Sequence, residues 1–139
     1  NFLVLPTDVA VAKTADETAE RASKRVDKVA GDDIILDIGE NSIERMSAAI
    51  NRAQTVIWNG TMGMAELPNF AHGSARAALE LAKHSNVCSI IGGGDTADFV
   101  LHWDARQGDS FTHVSTGGGA SLELMAGKKL PGIEALLDA

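Results

Sequence analysis

Two glycine triplets are the residues of this sequence whose type and spacing are best suited to chemistry. Gly92-Gly93-Gly94 and Gly117-Gly118-Gly119 each follow a short apolar run and precede a helix-like segment. Glycine lets backbone N–H groups approach an anion closely, and the start of a helix adds unpaired donors and partial positive charge. The repeated arrangement therefore predicts that this chain binds phosphate groups.

The residues that follow the first triplet indicate a metal-bound nucleotide. Asp95 supplies a carboxylate of the kind that Mg²⁺ prefers, and the hydroxyl of Thr96 suits a phosphate oxygen. A single glycine triplet is more often a tight turn, and Asp95 by itself is also a good helix cap. Because there are two triplets, phosphate binding is the favoured interpretation.

The first triplet also fits a weak dinucleotide-binding pattern, G-x-G-x-x-A, through Gly92, Gly94 and Ala97. Such a site needs an acidic residue at the end of a second strand about twenty positions further on. Residues 111–124 offer only a glycine loop and Glu123 there. A nicotinamide-dependent oxidoreductase is therefore the weaker alternative.

Composition and charge favour one domain, or part of one, from a reducing compartment. Of the 139 residues, 45% are hydrophobic and 22% are charged, which suits a packed core. The net charge of −7 and the lack of a Lys/Arg stripe argue against nucleic acid or an anionic membrane as a partner. The single cysteine, Cys88, lies in an apolar run and has no second cysteine with which to form a disulfide.

Short apolar runs alternate with helix-like stretches along the chain. The predicted strands are residues 2–5, 34–37, 55–58, 88–91 and 113–115. The predicted helices are residues 14–29, 42–52, 69–84, 95–103 and 120–126. The pair Asn41 and Glu44 predicts a capped start for the second of these helices.

This alternation predicts an α/β fold, a three-layer Rossmann-like domain with a mostly parallel sheet covered on both faces. In such sheets, ligands bind outside the carboxyl ends of the strands. Both triplets, the pair Asn59-Gly60 and Gly39 follow predicted strands at that edge. We therefore expect these segments to line one crevice.

Several longer motifs resemble the C-terminal, nucleotide-binding half of the phosphoglycerate kinase family. The motifs are Ile91 to Ala97, His113 to Glu123, and Trp58-Asn59-Gly60 with Met62-Gly63, and Leu5 to Val9 and Leu130-Pro131-Gly132 also match in the right order. The resemblance spans nearly the whole chain. It implies one part of a protein with two α/β domains, the N-terminal one for the phosphoglycerate and the C-terminal one for Mg-nucleotide.

The resemblance implies reversible phosphoryl transfer between ATP and 3-phosphoglycerate, giving 1,3-bisphosphoglycerate and ADP in glycolysis, by a monomeric enzyme of the cytoplasm. Residues 1–139 would be an incomplete, C-terminal part of the nucleotide-binding domain. The substrate domain and the family's phosphate-binding lysine would lie outside this chain, so the fragment alone would be inactive. A non-catalytic nucleotide- or phosphate-binding module derived from the same fold is the alternative.

The resemblance also assigns roles at the phosphate and metal positions. Asp95 would bind Mg²⁺, and Thr96 with the amides of Gly93 and Gly94 would hold the phosphates of ATP or ADP. Asn59 would contact the phosphate chain. These roles define the predicted Mg-nucleotide site.

The remaining assigned roles concern the reaction and the nucleoside. Gly117, Gly118 and Gly119 would stabilise the phosphoryl group in transfer, since that chemistry depends on positioning and charge stabilisation. Glu66 would accept the ribose hydroxyls. Leu36 would form an apolar wall for adenine, although an ordinary core position remains open for this residue.

Three positions depart from the family pattern, and all three lie around the expected base and ribose. Thr61 and Glu40 stand where the family has proline, and Ile35 stands where it has glycine. Ile35 would narrow the adenine space, and Glu40 would add a charge near the ligand edge. The expectation is an altered nucleotide affinity or preference with the same reaction class.

Overall fold

The structure, a computed structural model, describes residues 3–115, 117 and 119–137. The strands in these ranges are β1 (Asp8–Ala12), β2 (Ala22–Arg25), β3 (Ile34–Ile38), β4 (Thr55–Asn59), β5 (Cys88–Gly92) and β6 (His113–Val114). The helices are α1 (Glu40–Ile50), α2 (His72–Lys83), α3 (Gly94–Trp103), α4 (Gly119–Met125) and α5 (Pro131–Leu137), and Val26–Lys28 and Pro68–Phe70 form 3₁₀ turns. Within the described residues, every helix is too short or too polar to cross a membrane.

A parallel sheet carries the predicted ligand edge. Its strand order is β4-β5-β6, and Trp58 of β4 pairs with Ile91 of β5. The predicted strands 55–58, 88–91 and 113–115 are therefore confirmed within a residue at their ends, and so is the α/β class. These strands are short apolar runs that stop at Asn59, Gly92 or the second glycine loop, which explains why the sequence indicates them clearly.

A second sheet, which the sequence did not predict, is antiparallel. Its order is β2-β1-β3, with Val9 opposite both Lys24 and Ile38, and a register shift between Ala10 and Val11. Strand β3 confirms the prediction for residues 34–37, but it belongs to this sheet and not to the parallel one. Gly39 therefore follows a strand of the antiparallel sheet, whereas the two glycine triplets follow strands of the parallel sheet. The expectation that Gly39 shares their edge was wrong.

The strand predicted for residues 2–5 was wrong. Residues 3–5 of the predicted strand 2–5 have no strand partner, and Leu3 is largely exposed; Phe2 lies outside the described residues. The first strand is β1, whose five residues are all buried. An apolar run alone does not specify which segment finds a partner strand, and the alanine-rich β1 gives the weaker local signal.

The predicted helix 14–29 was also wrong, because an Asx turn and strand β2 occupy this range. The Asp16 carboxylate accepts hydrogen bonds from the Thr18 amide at 2.9 Å and the Thr18 hydroxyl at 2.6 Å. Such local bonds compete with helical ones. Ala22–Arg25 then pairs with β1, so sheet pairing overrides the helix propensity of its alanine, lysine and arginine.

Helix α1 confirms the predicted helix 42–52 in kind, but its capping differs from the prediction. The helix begins at Glu40, and its N-cap residue is Gly39. The Asp8 carboxylate, from β1, accepts hydrogen bonds from the backbone amides of Asn41 at 3.0 Å and Ser42 at 2.8 Å. A distant carboxylate therefore satisfies the donors that the sequence assigned to a local capping pair.

One hydrophobic core lies between the parallel sheet and helices α1, α2 and α3. Its buried members include Ile50, Trp58, Leu81, Ile91 and Val100. The opposite face of the sheet is less covered, since Ile57 is 50% exposed. The layer predicted on that face is therefore incomplete at β4.

Candidate functional site

The parallel register brings two predicted site segments together. Asn59, the last residue of β4, is directly opposite Gly92, the last residue of β5. A Cβ atom placed on Gly93 would lie 2.8 Å from the Asn59 Oδ1, so the Asn59 carboxamide lies against the glycine loop. Since both strands run in the same direction, the two loops share one edge, as the sequence predicted.

The first glycine triplet has the backbone geometry that requires glycine at one position. Gly93 has a φ of +86°, a conformation that side chains of L residues rarely adopt. Gly94 is the first residue of α3 and is exposed, and a Cβ atom placed on it would have no atom within 4 Å apart from its chain neighbours and the backbone of its own helix. The loop therefore presents free backbone at the start of a helix of ten residues.

Thr96 occupies a different place from the one expected for a phosphate contact. Its side chain is fully buried, and its hydroxyl accepts a hydrogen bond of 2.7 Å from the Gly60 amide. This bond fastens the turn after β4 to the first turn of α3. The geometry supports a positioning role for the Thr96 hydroxyl, because the oxygen is not at the surface of the loop.

Asp95 and Glu66 line the same cavity, although they lie on different elements. The cavity has a volume of about 180 Å³ and is lined by Thr61, Ala65, Glu66, Asp95, Asp98, Phe99 and His102. Asp95 is exposed in the first turn of α3, and Glu66 is exposed on the loop between β4 and α2. The sequence-predicted metal and ribose positions are therefore neighbours in space.

The donor chemistry at this cavity fits a magnesium ion that is bound mainly through a phosphate ligand. Among the described residues, no group of three or more His, Cys, Asp or Glu side chains is arranged to hold a metal ion. Mg²⁺ commonly takes one or two carboxylates and completes its shell with phosphate oxygens and water. Asp95 provides one such exposed carboxylate next to the glycine loop.

The two strand positions expected near adenine point in different directions. Leu36 is buried in a small core cluster with Ala10, Ala19 and Phe70. Ile35, next to it in β3, is 56% exposed. This alternation is ordinary for a strand, and it supports the core interpretation that the sequence left open for Leu36.

The second triplet is described only in part. Gly118 lies outside the described residues, Gly117 is exposed, and Gly119 is the first residue of α4. The Gly117 amide donates to the Ser115 hydroxyl at 3.2 Å, and the Ser115 amide donates to the Ile91 carbonyl at 2.8 Å. The loop therefore begins beside β5, which places Gly117 near the first triplet's edge of the sheet.

An arginine–aspartate pair at the end of β3 was missed by the sequence analysis. Arg21 donates to the Asp37 carboxylate at 3.1 Å and to the Glu40 carboxylate at 3.1 Å. Burial raises the pKa of the Asp37 carboxyl, and hydrogen bonds from Gly73, Ile38 and Arg21 oppose this effect. Glu40, expected as an extra charge at the ligand edge, is therefore paired. The partners are 16 and 19 residues apart, so no local pattern indicates them.

The fold and these loops define an α/β domain with a parallel sheet and glycine-rich turns at its carboxyl edge. Residues 1–128 match the family described as phosphoglycerate kinase. The chain belongs to the phosphoglycerate kinase family.

Individual relatives agree with this membership and show how much of them the chain represents. The chain is 46% identical over 135 residues to a phosphoglycerate kinase of Dictyoglomus turgidum, covering 97% of this chain and 34% of the relative. It is 42% identical over 138 residues to one of Listeria monocytogenes, covering 99% and 34%. The chain thus spans about a third of the length of these curated relatives.

Solved structures show the same relationship. The structure of phosphoglycerate kinase from Coxiella burnetii superposes with a TM-score of 0.85 at 37% identity, covering 94% of this chain and 33% of that one. The crystal structure of the Pyrococcus horikoshii enzyme gives a TM-score of 0.78 at 30% identity, covering 95% and 32%. The similarity in sequence and in fold therefore extends over nearly all of this chain.

Proposed function

We propose that this chain supplies the Mg-nucleotide site of a phosphoglycerate kinase. The observation that carries the proposal is the register that places Asn59 beside the Gly92–Gly94 loop, with Asp95 in the first turn of α3. Exposed backbone, a carboxamide and a carboxylate meet at one sheet edge in a member of this family. Such an edge suits a metal-bound di- or triphosphate.

Each residue has a separate task in the proposed site. The Gly93 and Gly94 amides and the Asn59 carboxamide bind the phosphate chain, and Asp95 holds the Mg²⁺. A Mg²⁺ ion held there would neutralise negative charge on the phosphate groups. The Glu66 carboxylate accepts hydrogen bonds from the ribose hydroxyls across the cavity. The Thr96 hydroxyl holds the loop after β4 against the start of α3.

The proposed reaction of the whole protein is phosphoryl transfer between ATP and 3-phosphoglycerate, a step of glycolysis in the cytoplasm. Residues 117–119 would stabilise the transferred group, since this chemistry depends on donors aimed at developing charge. The chain spans about a third of its relatives' length. We therefore propose that the rest of a family-length protein binds the phosphoglycerate, and that the 139-residue chain alone binds nucleotide without turnover.

The test of this function is calorimetric titration of the chain with Mg-ADP and Mg-ATP. We expect saturable binding that weakens in Asn59→Ala and is retained in Asn86→Ala. Asn86 is the matched control because it is exposed before β5, at the other edge of the same sheet. An absence of binding by the wild-type chain would overturn the proposed site.

A coupled assay with ATP, Mg²⁺ and 3-phosphoglycerate tests the reaction. We expect turnover from a family-length protein that carries these residues and none from the 139-residue chain. A family-length protein that binds Mg-ADP but never transfers phosphate would instead support a non-catalytic nucleotide-binding module.

A further inference from the structure

Arg21 makes hydrogen bonds to four different residues, which belong to three separate segments of the chain. Its guanidinium donates to the Asp37 carboxylate at 3.1 Å, the Glu40 carboxylate at 3.1 Å, the Ile38 carbonyl at 3.1 Å and the Asn69 carbonyl at 3.4 Å. The side chain is 13% exposed. One planar fork therefore joins β3, the start of α1 and the loop before α2.

The side chain of Asp37, the buried partner of Arg21, packs against both ends of the loop that connects β4 to α2. Its carboxylate accepts the Gly73 amide at 3.1 Å, at the start of α2. A Cβ atom on Gly73 would lie 2.7 Å from the Asp37 Oδ1, and one on Gly63 would lie 2.8 Å from the same atom. Residues 63 and 73 therefore pack directly against a carboxylate that Arg21 holds in place.

Further bonds fix the same loop to the segment around Arg21. The Asn69 carboxamide donates to the Ala19 carbonyl at 3.2 Å, and the Met64 amide donates to the Leu36 carbonyl at 2.8 Å. The loop between these anchors carries Glu66, which lines the cavity opposite Asp95. The position of Glu66 relative to Asp95 thus depends on anchors that meet at Arg21 and Asp37.

We propose that Arg21 is a positioning residue for nucleotide binding, which sets Glu66 at the distance from Asp95 that a ribose requires. This inference rests on the proposed nucleotide site. Arg21 itself does not touch the ligand; it acts through Asp37 and the Asn69 carbonyl. The consequence is a preference for nucleotides with free ribose hydroxyls that is controlled from outside the cavity.

The experiment compares two ligands in calorimetry, Mg-ADP and Mg-2′,3′-dideoxy-ADP, on the full chain. The dideoxy form lacks the hydroxyls that Glu66 would accept, so the position of Glu66 no longer affects its binding. We expect Arg21→Gln to weaken Mg-ADP several-fold and to leave Mg-2′,3′-dideoxy-ADP unchanged. Arg21→Lys keeps the charge beside Asp37 but loses the planar guanidinium. We therefore expect its affinity for Mg-ADP to lie between those of Arg21→Gln and the wild type.

The matched control is Arg25→Gln, which removes an arginine from the same strand region. Arg25 is exposed and pairs only with Asp27 among the described residues, at 2.9 Å. We expect this variant to bind both ligands as the wild type does. If Arg21→Gln fails to fold, as circular dichroism would show, Arg21→Lys decides the matter by the same two-ligand comparison.

The outcomes separate this inference from the function on which it rests. Equal weakening of both ligands, or no weakening of either, overturns the positioning role while leaving the nucleotide site in place. A wild-type chain that binds neither ligand overturns the proposed function, and the positioning role with it. Selective loss of Mg-ADP affinity supports both.

Discussion

The Thr96 hydroxyl and the Gly60 amide form a partly buried hydrogen bond of 2.7 Å between the two loops of the candidate site. Thr96 belongs to the first turn of α3, and Gly60 follows the last residue of β4. The bond therefore fixes the loop that carries Asn59 relative to the helix that carries Asp95. A polar residue expected to contact ligand instead joins the two elements that would contact it.

Thr96→Val should destabilise the protein, because valine keeps the shape of threonine but leaves the Gly60 amide without its acceptor. The loss of one partly buried hydrogen bond costs about 0.5–1.5 kcal/mol. Urea unfolding measures the effect as a lower midpoint. The control is Thr55→Val, at an exposed position of β4, where we expect little change. Equal stability of the two variants would contradict this account of the bond.

Asp95→Ala should remove most of the Mg²⁺-dependent part of nucleotide affinity. Without the carboxylate, the protein no longer provides a ligand for the Mg²⁺ of Mg-ADP. Metal-free ADP should bind at least as well as before, because a negative charge has been removed from the site. Calorimetry with Mg²⁺ or with a chelator measures both terms.

Asp98→Ala is the matched control for that experiment. Asp98 lines the same cavity but lies beyond the first turn of α3. It should retain the metal dependence of the wild type. If the metal dependence persists in Asp95→Ala, Asp95 does not bind Mg²⁺ and is only an exposed residue at the start of α3.

The Asp8 carboxylate should make stability depend on pH. Burial alone raises its pKa, but hydrogen bonds from Ser42 and Asn41 outweigh burial and hold the pKa below the ordinary value of 3.8. Because the folded-state pKa is depressed, this stabilisation is present above about pH 3.8 and is lost as the pH falls through the folded-state pKa. Removing the charge of Asp8 should therefore lower the free energy of unfolding more at pH 6 than at pH 3.

Asp8→Asn tests this expectation by urea unfolding at both pH values. We expect a loss of about 1–2 kcal/mol at pH 6, the scale of a helix N-cap, and a smaller loss at pH 3. Asp109→Asn, at an exposed position, should give a small and constant difference. A loss in Asp8→Asn that does not change with pH would contradict the role of the charge.

The sequence predicted the parallel sheet, and the edge at which Asn59 and Gly92 meet, because both depend on local signals. Continuous apolar runs indicate β4 and β5, and the residues that stop them, Asn59 and Gly92, must then share an edge. The adjacency of these two residues was therefore predictable before any coordinates. The antiparallel sheet was not, because β2 is polar and exposed and its pairing depends on partners distant in sequence.

Side-chain direction was the part of the site that the sequence could not supply. Thr96 and Asp95 are adjacent, yet one is fully buried and the other exposed, since the turn of a helix sends them to different sides. The Arg21–Asp37 pair joins residues from different elements. Both features follow from tertiary packing, which composition and spacing do not encode locally.

Alanine substitutions at Gly93 and Gly94 should separate stability from ligand binding. Gly93→Ala forces a side chain into a φ of +86° and places its Cβ 2.8 Å from the Asn59 Oδ1. Strain of this kind costs about 1–3 kcal/mol. We expect a lower urea midpoint and weaker Mg-ADP binding, because the Asn59 carboxamide must also move.

Gly94→Ala is the matched variant, since its Cβ would enter open space at the first position of α3. Replacing glycine where the backbone permits alanine stabilises by about 0.4–1 kcal/mol, chiefly by restricting the unfolded chain. The new methyl group nevertheless covers the backbone that a phosphate would approach. We therefore expect unchanged or higher stability together with several-fold weaker Mg-ADP binding. Wild-type affinity in a fully folded Gly94→Ala would exclude the Gly94 amide from the phosphate site and confine that site to Gly93 and Asn59.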